Sequence, residues 1–117
     1  MKSGRILTGL FLCTLLISVA ALSIDIEQTI SENEVVLFTK SYCGFCRMAR
    51  NLLDNKGIAY KVIELDQVSD GRAIQSELAA MTGHGTVPVV FIAGEFIGGS
   101  SELHALEKSG GLVVGRQ

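Results

Sequence analysis

The stretch "VVLFTKSYCGFC", Val35–Cys46, decides how the chain is read. It opens apolar and β-branched, as a buried strand does, within the run Glu34–Thr39. It closes on two cysteines separated by two residues. Beyond them Met48, Ala49, Leu52 and Leu53 recur at helical spacing, with Arg47, Arg50, Asn51 and Asp54 between, until Gly57 stops the pattern. Cys43 therefore stands where a strand gives way to a helix.

Three chemistries compete for such a pair. Structural zinc needs four ligands, usually from a second pair at short spacing. The chain offers His84 and His104, twenty residues apart, and a third cysteine, Cys13, in an apolar N-terminal run. A purely structural disulfide would close so short a loop that it restricts the unfolded chain little. The redox reading fits the position best. A thiolate at a helix start meets unpaired backbone N–H groups and the positive end of the helix dipole, and Lys40 and Arg47 add positive potential. Cys46, one turn on, faces the same side and is more enclosed. Cys43 is then expected to attack and Cys46 to resolve.

The rest of the chain arranges itself around this junction. Ile24–Asn33 reads as a short amphipathic helix and Ala59–Asp66 as an alternating strand. Asp70 caps a second helix in which Ile74, Leu78 and Met81 share a face, and Gly83 ends it. Val87–Gly94 and Glu95–Gly99 read as two strands joined by a tight turn at Ala93–Gly94. Ser100 or Ser101 caps a last helix, Glu102–Lys108, and the residues from Ser109 onward read as a frayed tail. The order β-α-β-α-β-β-α predicts an α/β protein: a four-stranded mixed sheet flanked by helices, the architecture of the thioredoxin-like fold.

With 117 residues there is room for one domain. Residues 1–23 differ from the remainder: Lys2 and Arg5 precede an uncharged run, Ile6–Leu22, followed by Ala20, Ala21 and Ser23 at its small-residue end. That order predicts a signal peptide cleaved after Ala21 or Ser23. Its rival is an uncleaved signal anchor, since about 17 apolar residues lie at the lower limit for spanning a bilayer. The expected destination is the secretory pathway, in the lumen or secreted, with a membrane-anchored form or a plastid route through a signal peptide as alternatives. Residues 24–117 form the expected domain. The formal charge is −2, more acidic without the leader, and no basic stripe remains, which excludes nucleic acid as a partner on electrostatic grounds.

The chain resembles the glutaredoxin family over nearly everything from Val35 to Lys108. The likeness rests on four separated elements: "TKSYCGFC", "TVP" at Thr86–Pro88, "IGG" at Ile97–Gly99, and Gln75 within "IQSEL". Thioredoxins are less similar, because they carry Trp where Tyr42 stands and Gly-Pro where Gly44-Phe45 stands. The resemblance implies glutathione as co-substrate and disulfides or glutathionylated proteins as substrates. It implies that Pro88 is a cis-proline, leaving the Val87 backbone free to pair with the cysteine of glutathione. Lys40 and Gln75 would meet its glycine carboxylate, and Gly99, Ser100 and Ser101 its γ-glutamyl end at a helix N-terminus. Tyr42 and Thr86 would complete the site. Singly, Gln75 and Tyr42 read as ordinary surface residues, and Ser101 as a simple N-cap.

Several positions depart from the family pattern. Gly44 replaces the common proline between the cysteines, Ser101 stands where Asp is frequent, and Gly85 replaces a basic residue before Thr86. His84 reads as a solvated loop residue. The absence of extra residues between Lys40 and Cys43 places the chain with dithiol members. A monomeric glutathione-dependent oxidoreductase is the leading expectation. One alternative is a dimer holding a [2Fe–2S] cluster through Cys43 and two glutathiones. Another is a dithiol oxidase of the secretory pathway, where an oxidising poise near −180 to −210 mV would favour the disulfide.

Overall fold

The structure, a computed structural model, describes residues 24–114. Its elements in chain order are α1 (Ile26–Glu32), β1 (Val35–Thr39), α2 (Gly44–Asn55), β2 (Lys61–Glu64), α3 (Gly71–Thr82), β3 (Val89–Ile92), β4 (Glu95–Gly98) and α4 (Ser100–Lys108). The four strands form one sheet in the order β2-β1-β3-β4. β1 runs parallel to β2 and antiparallel to β3, and β3 runs antiparallel to β4. This is the mixed sheet of the thioredoxin-like fold, as the sequence predicts.

Alternation along the two central strands builds the layers. Val36 and Phe38 of β1, with Val89 and Phe91 of β3, point to one face and pack with Ile26 of α1 and Ile74 and Leu78 of α3. Val35 and Leu37, with Val90 and Ile92, point to the other face and meet Ala49 and Leu53 of α2 and Leu103 of α4. Every residue of β1 is buried, as a strand covered on both faces must be. Each large aliphatic side chain sealed this way stabilises the fold by about 1.5–3 kcal/mol relative to exposure.

The helices keep a narrower stripe than their sequences suggest. In α2 the buried set is Cys46, Ala49 and Leu53, while Met48 is half exposed. In α3 Ile74 and Leu78 are buried and Met81 faces outward. The strands are shorter than their alternating runs, because pairing ends before the apolar pattern does. The hairpin turn at Ala93–Gly94 takes positive φ at both residues, 52° and 81°, which matches the twist of the flanking strands. The expected frayed tail differs most: the Gly111 N–H donates to the Leu106 carbonyl at 2.9 Å, and Leu112 and Val114 pack on the α2–α4 side of the core. Two leucine- and valine-sized side chains gain more by covering that core than they lose in chain freedom.

Candidate active site

Lys40–Cys43 follow the C-terminal end of the inner strand β1, and the turn they form is held by Asp66. The Asp66 carboxylate accepts the Ser41 N–H at 2.9 Å and also the Ser41 hydroxyl, which holds its carboxyl down at about 2. The Cys43 N–H donates to the Lys40 carbonyl at 3.1 Å. Cys43 then serves as the N-cap of α2, its backbone extended, with the Cys46 N–H donating to its sulfur at 3.1 Å. A cysteine sulfur thus does what a serine oxygen usually does at a helix start. Both cysteines are free thiols.

The two sulfurs differ sharply. Cys43 is half-buried and its thiol points to the Val87 carbonyl at 3.8 Å. Cys46 is 1% exposed. Burial first, then its hydrogen bond to Cys43, push the Cys46 thiol up to about 12. One hydroxyl nearby is an oddity: Thr39 Oγ1, at the end of β1, is fully buried and has no hydrogen-bond partner.

Two grooves flank Cys43 and share no lining residue. The first, of about 250 Å³, gathers Thr86, Val87, Pro88, Gly99, Ser100 and Ser101. The Val87–Pro88 bond is cis. The second, of about 170 Å³, contains Lys40 together with both cysteines, Arg47 and Arg50. Lys40 lines this second groove, which adjoins the first at Cys43, whose sulfur lies 3.8 Å from the Val87 carbonyl. Gln75 lines neither groove: its side-chain amide donates to the Gly85 carbonyl at 3.0 Å, in the loop before Thr86. Tyr42 is 72% exposed and also lines neither.

The first groove holds three residues that the sequence reading did not assign, Phe45, His84 and Glu102. His84 is not a solvated loop residue. Its ring lies against Phe96 with centroids 5.6 Å apart and its Nε2 is 3.4 Å from the Thr86 hydroxyl. The cap of α4 is Gly99 rather than a serine. Its N–H donates to Glu102 Oε1 at 2.8 Å, and this bond holds the Glu102 carboxyl below the usual glutamate range. The Gly99 N–H is thus already engaged, while Ser100 and Ser101 occupy the first turn beside it. Glu102, three residues after the cap, makes the glutamate half of a capping box, while Gly99 has no side chain to return the bond. Arg50 was also missed; it pairs with Glu64 at 3.1 Å. Among the described residues no three His, Cys, Asp or Glu side chains converge as a metal site.

A glutaredoxin family model matches residues 35–97. The chain is 47% identical over 89 residues to "Glutaredoxin-2, mitochondrial" of Bos taurus, covering 76% of this chain and 57% of that one. It is 45% identical over 87 residues to "Glutaredoxin-C4, chloroplastic" of Oryza sativa subsp. japonica, covering 74% and 65%. Among solved structures, a buckwheat glutaredoxin–glutathione complex superposes with a TM-score of 0.74 at 45% identity, covering 74% of this chain and 79% of that one. The chain thus spans somewhat over half the length of the bovine relative. These names correct the expected destination: the bovine and rice relatives carry mitochondrial and chloroplastic addresses, not secretory ones. The secretory-pathway oxidase falls with it. Residues 1–23, on which that expectation rested, lie outside the described residues. A family model matching more than half of the chain, over a mixed sheet that carries a dithiol at the start of α2, makes this chain a member of the glutaredoxin family.

Proposed function

We propose that the chain is a glutathione-dependent thiol–disulfide oxidoreductase that reduces disulfides and protein–glutathione mixed disulfides, with Cys43 as nucleophile and Cys46 as resolving thiol. The unequal standing of the two sulfurs carries this reading: one is accessible at a helix start, the other is sealed and keeps its proton. The Cys43 thiolate attacks the glutathione sulfur of a mixed disulfide. That S–S bond breaks, the substrate leaves as a thiolate that takes up a proton, and Cys43 is left bonded to glutathione. A second glutathione thiolate attacks the same glutathione sulfur, restoring Cys43 and releasing glutathione disulfide. Alternatively Cys46 loses its proton and attacks Cys43, expelling glutathione and closing the Cys43–Cys46 disulfide. The Cys43 sulfur helps to hold the Cys46 proton. Capping Cys43 with glutathione removes that hold at the step where Cys46 must ionise.

Glutathione is assigned to the groove of Thr86, Val87, Pro88, Gly99, Ser100 and Ser101, with Lys40, Tyr42 and Gln75 as further contacts. The buckwheat relative, solved as a glutathione complex, supports this choice. Turnover of a small glutathione mixed disulfide tests the whole reading. Cys43→Ser should abolish it and Cys46→Ser should retain much of it; two equally inactive variants would refute the single-thiol route. A second reading draws on Gly44, where an added Cβ would meet nothing within 4 Å. In that reading Cys43 and two glutathiones would hold a [2Fe–2S] cluster between two copies, with the uncrowded turn at Gly44 as its support. Purified protein that is brown, contains iron and elutes as a dimer would support it; a colourless monomer after anaerobic reconstitution would not.

A further inference from the structure

Among the described residues, Thr39 Oγ1 is the one buried side-chain oxygen or nitrogen without a hydrogen-bond partner. A hydroxyl left in that state destabilises the fold, and an isosteric methyl group would not. Its surroundings give it a use. Thr39 ends β1, and alternation puts its side chain on the face of Val35 and Leu37, toward Ala49 and Leu53 of α2. β1 and β2 are parallel, so the helix between them runs back along the sheet and its first turn lies over the end of β1. The residue of that turn on the buried stripe of α2 is Cys46. Burial and then the bond to Cys43 oppose ionisation of the Cys46 thiol, while the backbone N–H of Lys40, the residue next to Thr39, favours it. The Cys46 sulfur therefore lies beside the Thr39–Lys40 peptide. The other charged groups about it are Lys40, Arg47, Arg50 and Asp54, which line a groove with it, and Glu64, paired with Arg50 at 3.1 Å. None of them engages the hydroxyl.

We propose that the Thr39 hydroxyl is a donor held in reserve for the Cys46 thiolate, and that it speeds the displacement of glutathione from Cys43 by Cys46. The inference rests on the glutathione-dependent reading above and concerns only its resolving branch. In that branch Cys46 passes its proton to solvent. The thiolate attacks the Cys43 sulfur, the Cys43–glutathione bond breaks and the Cys43–Cys46 bond forms. Glutathione leaves as a thiolate that takes a proton back. While Cys46 keeps its proton, its sulfur is a weak acceptor and the hydroxyl stays unpaired. Once the proton leaves, a full negative charge stands in a sealed site, and the hydroxyl rotates about its C–O bond to meet it. A hydrogen bond to a charged group favours the thiolate by about ten- to a hundred-fold, or about one to two pH units. Part of that gain is lost in the attack, because nucleophilicity falls as the thiolate is stabilised, so the net acceleration is about three- to ten-fold.

The test is a single turnover of the full chain with glutathione disulfide, stopped by acid and read by intact mass, which separates the Cys43–glutathione adduct from the closed Cys43–Cys46 disulfide. The comparison reaction is turnover of a small glutathione mixed disulfide in excess glutathione, where a second glutathione does the resolving. Thr39→Val should slow closure about three- to ten-fold more than it slows that turnover. Its closure rate should follow a pH profile displaced upward by about one to two units, and Thr39→Ser should restore both rate and profile. If the valine variant does not fold, Thr39→Ala against Thr39→Ser makes the same comparison. Closure by Thr39→Val at the wild-type rate and pH profile overturns the proposal. So does equal slowing of the two reactions, or a serine variant as slow as the valine one. A wild type that turns over the small substrate but never closes the disulfide also overturns it, with the glutathione-dependent reading left standing. If the wild type forms no adduct and shows no turnover, that reading fails and the proposal with it.

Discussion

The side-chain amide of Gln75 donates to the Gly85 carbonyl at 3.0 Å and so ties α3 to the loop that leads into Thr86–Pro88. A residue proposed to touch glutathione thus also holds one wall of the groove. Preorganising a binding loop raises affinity by lowering the cost of ordering it.

Gln75→Ala should therefore raise KM for a glutathione mixed disulfide while leaving kcat nearly unchanged. The loss of one neutral hydrogen bond amounts to about 0.5–1.5 kcal/mol. Lys40→Ala, which removes a charge and leaves that loop intact, should cost about 1.5–3 kcal/mol at most. Steady-state kinetics on both variants separates the effects. An unchanged KM in both would return the two residues to the plain surface.

The Cys46 thiol gives a pH signature. Its proton is held up to about 12 in the folded chain, against 9.0 for an ordinary cysteine. The fold binds that proton more tightly than the unfolded chain, so the stabilising contribution is complete below pH 9 and is lost as pH rises toward 12. Thermal unfolding midpoints should fall above pH 9, and fall less in Cys46→Ser. Near neutral pH iodoacetamide should modify Cys43 and spare Cys46 in peptide maps; equal labelling would contradict the sealed position.

Gly71 starts α3 directly beneath the end of β2. A Cβ there would lie 1.7 Å from the Leu65 carbonyl oxygen, an atom of the backbone that cannot turn aside. Gly71→Ala should displace the helix and destabilise the domain by about 1–3 kcal/mol or more, lowering the melting midpoint by roughly 5–20 °C. Gly85→Ala, whose Cβ would find only the Ala79 side chain at 3.9 Å, serves as the control and should melt close to wild type.

Thr39 should be better as valine. Its hydroxyl is buried without a partner, and that burial costs about 1–3 kcal/mol that an isosteric methyl group would avoid. Thr39→Val should raise the melting midpoint by a few degrees. If the variant is less stable, the hydroxyl has a partner in solution, and kinetics on the same variant would show whether that partner belongs to the active site.

Sequence periodicity revealed the order of elements along the chain and the position of the dithiol, because both depend on local patterns: β1 is a continuous apolar run and Cys43 sits where its period changes. It misassigned what depends on distant packing. Met48 and Met81 fit their helical stripes but lie at the rim of the core, and the tail finds cover that no local rule announces. His84 has no motif around it; only the fold brings its ring to Phe96 and the groove. The division of Lys40 from Thr86–Pro88 into different grooves is likewise invisible along the chain, since it depends on how β1 and β3 end beside one another.

Strand β1 is bonded along both edges and covered on both faces, so its amide protons should be the last to exchange with deuterium, opening only when the whole domain opens. Cys43 follows four residues after its last residue, Thr39. The groove proposed for glutathione, by contrast, is built partly from the loop before Pro88 and the first turn of α4, where Gly85, Thr86 and Ser101 are exposed. Under mild denaturant the groove should lose its shape before the thiol loses its anchor. Glutathione affinity would then fade while Cys43 still reacts with a small alkylating agent at its native rate.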